Sequence, residues 1–310
     1  MKDWLGMERG RGRDPLSGER AVTVITEAIE NPDPKRFDRG TRGECLGFGA
    51  GVKPAVYLDG FTLGDPMTVR DRFVQEGMNV ECSRGAVVNA DMVRERVRNE
   101  PRLARDVGWN PDQTAIEQFE ESLLFQKRDR DNVRIGFILG IPGSAIRGFD
   151  RERKVLDEKG LVLPGQLFHF SQKKPVDPGW ETWVGGMEDE DRASLRLMAE
   201  EYEMLDLYES SVDPADADRL SAEAHDDFFR KHDQTLRKIY RNYTNVTDEE
   251  ASLMLSRRRK AINAPDGSEV YVFVTYGPEG RIAPDVKRLE AKVKDAFRRA
   301  EQIDGRESAA

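Results

Sequence analysis

The side chains that first suggest chemistry are bases set among glycines. Arg39, Arg42 and Lys53 surround glycines at 40, 43, 47, 49 and 51. Backbone amides of a glycine-rich loop can cradle a phosphate while neighbouring cations neutralise its charge. The spacing matches no nucleotide-binding fingerprint: Val52 separates Gly51 from Lys53, and Pro54 replaces the hydroxyl residue of a phosphate loop. The competing expectation for 40–53 is a glycine-bent strand or hairpin that places Cys45 in a strand.

Two carboxylates follow at the ends of short apolar runs, Asp59 in Tyr57-Leu58-Asp59-Gly60 and Asp65 in Gly64-Asp65-Pro66. A polar residue closing a buried strand is where α/β proteins often contact ligands, although Asp-Gly and Asp-Pro are also turn chemistry. With His169 as a base, Asp59 and the glycine segment would make a site for a phosphorylated or carboxylated small molecule. Metal chemistry has little to build on. The histidines are His169, His225 and His232, and Cys45 and Cys82 lack CxxC spacing, so no metal, cofactor or structural disulfide is expected. His225 and His232 share a helical face, but His232 continues the stripe of Phe228, Phe229, Leu236, Ile239 and Tyr243, which is core or interface spacing. Ser83, Ser144 and Ser171 lack a nucleophile-elbow setting.

Charge is segregated along the second half. Residues 181–227 hold sixteen acids against Arg192, Arg196 and Arg219, whereas 228–260 hold nine bases against four acids. The two blocks should attract, so internal pairing is expected for most of the acids. Arg257, Arg258, Arg259 and Lys260, four consecutive bases, are expected to stay exposed as a patch for an acidic protein or a polyanion.

One segment has a character of its own. Ile135-Gly136-Phe137-Ile138-Leu139-Gly140-Ile141-Pro142, continuing to Phe149, reads as a tight corner between two helices, Gly140 stopping one and Pro142 starting the next. It resembles an LGYP-type segment of poorly characterised archaeal and bacterial proteins, some of which carry a Cys-Cys pair just after the proline. Ser144-Ala145 occupies that place in this chain. The resemblance implies architecture and no activity.

The elements that must position these residues are predominantly helical. Residues 1–15 read as a flexible arm, followed by a helix over 17–30 that Pro32 and Pro34 stop. Between 39 and 89, short runs rich in Val, Tyr and Phe alternate with one helix over 68–76. Helices follow over 89–103, from a cap at Asp112 to Leu124, over 133–139 and to about 159. Strands are expected at 161–171 and 182–185, and helix from 188 to 262, broken near Asp213-Pro214 and again from Thr244 to Thr247. Val270 to Val274 is apolar on both faces, so it should be a buried strand paired with the N-terminal ones, with a last helix over 284–302. The expected fold is α+β: a mixed sheet with a predominantly helical middle and C-terminal half. Residues 16–310 would form one interleaved domain with a helical insertion over about 187–262.

Composition bounds the function. The chain of 310 residues carries 58 acidic and 49 basic side chains, a net charge of −9, which argues against general nucleic-acid binding. Apolar residues make up 38% and recur periodically, and mean hydropathy is −0.68, values of a folded protein with a charged surface. No run approaches the roughly 18 apolar residues of a membrane span, and the first residues lack a signal core, so a cytoplasmic location is expected. Two functions are compatible with these features. One is a non-catalytic binding or regulatory protein with an anionic or acidic partner. The alternative is an enzyme for a phosphorylated or carboxylated small molecule.

Overall fold

A computed structural model describes residues 18–30, 39–58, 61–124, 129–159, 186–211, 214–243, 246–251, 257–263, 269–275 and 282–307. The expected strands at 161–171 and 182–185, and with them His169, lie outside these residues, as does Asp59.

The first helix, α1 (Gly18–Thr26), buries Ala21, Val22, Val24 and Ile25. Its exit is tied down by Glu30 N–H donating to Thr62 O at 2.8 Å and Gly64 N–H to Ala28 O at 2.9 Å. Against α1 lies α2 (Arg39–Gly49), and here the expected strand or phosphate loop is corrected, since the glycine-rich segment is helical. Glycine within a helix costs about 1 kcal/mol. Burying Leu46 and Phe48 returns about 1.5–3 kcal/mol for each side chain, so packing overrides propensity. The helix closes where Gly51 takes φ +68° and Val52 N–H reaches back to Gly47 O at 2.9 Å.

Three short strands follow: β1 (Ala55–Tyr57), β2 (Val80–Cys82) and β3 (Ala86–Asn89), with α3 (Pro66–Gln75) between the first two. Both neighbours of the central β3 run antiparallel to it, with Val56 opposite Val87 and Glu81 opposite Val88. Alternation along the strands feeds two cores. Val56, Val80 and Val87 face the cluster containing Phe48 and Phe73, while Ala55, Ala86 and Val88 face Phe119 and Ile138.

Five helices continue the chain: α4 (Ala90–Asn99), α5 (Pro101–Asp106), α6 (Ala115–Leu124), α7 (Asp129–Ile138) and α8 (Gly143–Lys159). Asn89 caps α4 by accepting from Met92 N–H at 3.1 Å. Thr114, rather than Asp112, begins α6 through a reciprocal capping box: its N–H donates to Glu117 and its Oγ1 accepts from Glu117 N–H. The α7–α8 corner forms where the sequence places it. Gly140 has φ +80° and Ile141 N–H reaches Gly136 O at 2.9 Å.

The acidic α9 (Asp189–Ser211) packs along α10 (Pro214–Tyr243), burying Leu195, Met198, Phe228, Leu236 and Ile239 between them. The helices end at Ser211 and Tyr243, at the expected breaks, but helix resuming to 262 is the second correction, because Arg257–Asn263 forms β4, paired antiparallel with β5 (Glu269–Thr275). The strand at 270–274 therefore pairs with its neighbour in sequence and not with the N-terminal strands. Closing a short connection costs less chain entropy than a pairing across nearly two hundred residues. All described strand pairs are antiparallel, so the sheet is not a mixed one, within a fold that is α+β and mostly helical. The hairpin is covered by helices: β5 packs on α2 and α8, and β4 on α10 and on α11 (Pro284–Glu307). Val286 and Val293 of α11 complete the N-terminal core beside Ile25 and Phe73.

Candidate functional site

Of the residues that sequence proposes as a site, Asp59 and His169 lie outside the described residues, and the others are distributed over separate elements. Arg39 and Arg42 lie on helix α2 and not on a loop. Lys53, only 5% exposed, is committed internally, its Nζ 2.6 Å from Glu44 Oε2. Asp65 is the N-cap of α3, accepting from Met67 N–H at 3.0 Å and from Thr68 Oγ1 at 2.5 Å. Those two hydrogen bonds, the Thr68 hydroxyl first, hold its carboxyl below the usual range. Arg257, Arg258, Arg259 and Lys260 occupy a strand, whose residues alternate between two faces, so they do not form one helical patch. His232 sits 2.8 Å from Glu201 Oε2 and against the Phe228 ring, a packed interface position. The glycine segment that the enzyme alternative uses as a phosphate loop is helical over Arg39–Gly49.

A different concave surface opens where α5, α7 and α8 meet, a groove of about 650 Å³. Its floor is the edge of a small apolar cluster, Leu103 and Val107 from the α5 end, Val133 from α7 and Ile146 from α8. Its rim is charged: Arg105 and Asp106 on one wall, Arg147, Asp150, Arg151 and Lys154 on the other. The α8 residues follow the i, i+3, i+4, i+7 spacing that puts side chains on one helical face. Sequence reading missed this set because it looked for runs of bases, whereas the bases of α8 are spaced by turns. The recoverable signal was that spacing, inside a helix whose bounds were anticipated.

The rim is electrostatically uneven. Lys154 Nζ donates to Asp150 Oδ2 at 2.7 Å. That bond and the charge of Asp150 raise the ammonium's pKa, and Glu158 and Asp106 add attraction. Arg151 reaches Glu249 at 3.4 Å, outside the groove. Among the described residues, Arg105 and Arg147 have no carboxylate within ion-pair distance. Among the described residues, the rim's positive charge without an ion-pair partner is therefore that of Arg105 and Arg147.

The frame beneath is braced by two polar contacts that cross the fold. Arg96 of α4 is mostly buried, stacks 4.6 Å from the Phe137 ring centroid, and donates to Phe137 O at 2.7 Å and Ile141 O at 2.5 Å. The α7–α8 corner is thereby clamped to α4. At the start of α8, Asp285 accepts from Ser144 N–H and Ser144 Oγ, both at 2.7 Å. Burial works against that carboxylate's charge, but the Ser144 bonds outweigh it and its pKa is lowered. A helix N-terminus favours a carboxylate there as well. Ser144 thus ties α8 to α11.

The groove presents cations, carboxylates and apolar side chains, and none of its lining residues is a Ser, Cys or His nucleophile or base. Such groups can bind and orient a ligand. Among the described residues no group of three or more His, Cys, Asp or Glu is arranged to hold a metal ion. Cys45 and Cys82 are free thiols, and burial raises the pKa of both, that of Cys82 to about 12. No described helix is long and apolar enough to cross a membrane. No family model, no curated protein and no solved structure matches the chain.

Proposed function

We propose that this chain is a non-catalytic binding or regulatory protein, and that its anionic partner is a small molecule held in the groove between α5, α7 and α8. The observation that carries this reading is a groove rimmed by two exposed guanidiniums, Arg105 of α5 and Arg147 of α8, that have no ion-pair partner among the described residues. Arginine presents a planar fork of donors that matches carboxylate and phosphate oxygens. A volume of about 650 Å³ lies within the usual range for small-molecule pockets. The braced corner supplies preorganisation, which lowers the entropy cost of holding a ligand. The alternative of an enzyme for a phosphorylated or carboxylated substrate loses its phosphate-binding element, because the glycines of 40–49 are in a helix.

The test uses an anionic aromatic probe, 8-anilinonaphthalene-1-sulfonate, titrated into the full chain at low and moderate salt. Hydrogen bonds to charged groups contribute about 1.5–3 kcal/mol each, and a tenfold change in affinity is about 1.4 kcal/mol. Arg105→Ala with Arg147→Ala should therefore weaken the probe at least tenfold, with an unchanged thermal melt because both side chains are on the surface. Equal affinity of variant and wild type would remove the groove from consideration.

A further inference from the structure

Beyond the groove, we infer that the outward face of α11 is a docking surface for the phosphate backbone of a nucleic-acid duplex, bound without base readout. Over 284–299 the helix carries six bases against Asp285, Glu290 and Asp295. Val286, Val293 and Ala296 are buried, so helical spacing sends the bases outward in two rows. Lys287, Lys294 and Arg298 form one row, Arg288, Lys292 and Arg299 the other, and all six are exposed. Lys294 is neutralised by Glu290 at 2.9 Å and Arg299 by Asp295 at 3.1 Å. Lys287, Arg288, Lys292 and Arg298 have no carboxylate within ion-pair distance among the described residues. The neighbouring strand adds to the charge: β4, with Arg257, Arg258, Arg259 and Lys260, packs on the same helix. Glu301 and Asp304 follow in sequence and bound the basic stretch at Arg299.

The side chains of this face select among polyanionic partners. Protein interfaces are anchored by aromatic and large apolar side chains, and among the described residues no exposed large apolar one is on α11. A lipid surface would need the apolar side of the helix, which Val286 and Val293 already commit to the core shared with α1, α2 and α3. Single strands are held largely by stacking of their bases on aromatic rings, and neither row of bases contains one. A duplex stacks its own bases and presents one charge per about 1.7 Å of its axis, so rows of cations suffice to hold it. From Lys287 to Arg299 the helix rises about 18 Å at 1.5 Å per residue, long enough to face several phosphates. The net charge of −9 repels a polyanion from other directions. Contact is therefore confined to this region and weakens steeply as salt rises.

Fluorescence anisotropy of a labelled DNA duplex of about 20 base pairs, titrated with the full chain at about 50 and 200 mM salt, tests this. Four unpaired bases predict a slope of log affinity against log salt of about −3.6, at about −0.9 for each phosphate neutralised, which is about a hundredfold loss over that range. Lys287→Gln with Arg288→Gln and Lys292→Gln should flatten the slope by about 2.7, with an unchanged thermal melt because all three side chains are exposed. Arg105→Ala with Arg147→Ala should leave duplex binding as it is, which separates this surface from the groove. No binding at the lower salt, an unchanged slope in the triple variant, or a loss in the groove variant would overturn the proposal. Poly-glutamate bound as tightly as the duplex would overturn it in favour of an acidic protein, and oligothymidylate bound more tightly than the duplex in favour of a single strand.

Discussion

Two glycines with the same backbone conformation separate strain from sterics. Gly51 and Gly140 both have positive φ, +68° and +80°. A Cβ on Gly51 meets nothing within 4 Å, whereas one on Gly140 would overlap the Pro54 ring. Left-handed backbone costs a non-glycine residue roughly 1–2 kcal/mol. Gly51→Ala should therefore destabilise by about 1 kcal/mol, and Gly140→Ala by at least twice that, as read from denaturant melts; equal losses would mean that the corner does not press on Pro54. At this scale the sequence was informative at Gly140, where Gly and Pro flank Ile141, and misleading at 40–51. Several glycines in a short stretch signal a bend unless apolar partners at helical spacing, here Cys45 and Phe48, are buried, and burial is not visible in sequence.

Helices α9 and α10 show what charge segregation accomplishes. Asp191 is buried and accepts from Lys238 Nζ and Tyr243 Oη, both at 2.7 Å, while Glu201 accepts from Lys231 and His232. The Lys238 bond, then the Tyr243 bond, depress the Asp191 carboxyl. Burial opposes the charge of Glu201, but Lys231 and His232 overcome it. Both folded-state pKa values thus lie below their unfolded values. The contacts contribute fully above the unfolded carboxylate range and are lost as pH falls through the folded values. Chemical denaturation from pH 7 down to pH 3 should show stability falling across the carboxylate range. Asp191→Asn with Glu201→Gln should flatten that fall; an unchanged slope would show that these pairs add nothing. The attraction was legible in the sequence because net charge needs no geometry. The strand at Arg257–Asn263 was not, since its bases give no period-2 apolar pattern and its strand character comes from β5, whose Val, Tyr and Phe residues are strong strand formers.

Across the whole molecule, the ends of the chain share one core. Val286 and Val293 of α11 are fully buried among residues of α1, α2 and α3, and Asp285 on the same helix caps α8. A chain lacking 264–310 would expose that cluster, lose the β5 cover of α2 and leave Ser144 without its carboxylate. It should be insoluble or melt without cooperativity, and a soluble fragment with a sharp transition would contradict the shared core. The α+β class and most helix bounds could be read from hydrophobic periodicity. The groove could not, because it depends on three helices meeting. Its location is tested by nitrogen-15 amide spectra of the full chain titrated with 8-anilinonaphthalene-1-sulfonate. Shifts should concentrate at Arg105, Val107, Val133, Ile146 and Arg147, and shifts confined to α2 or to the β4 bases, or none at all, would contradict the groove as the anion site.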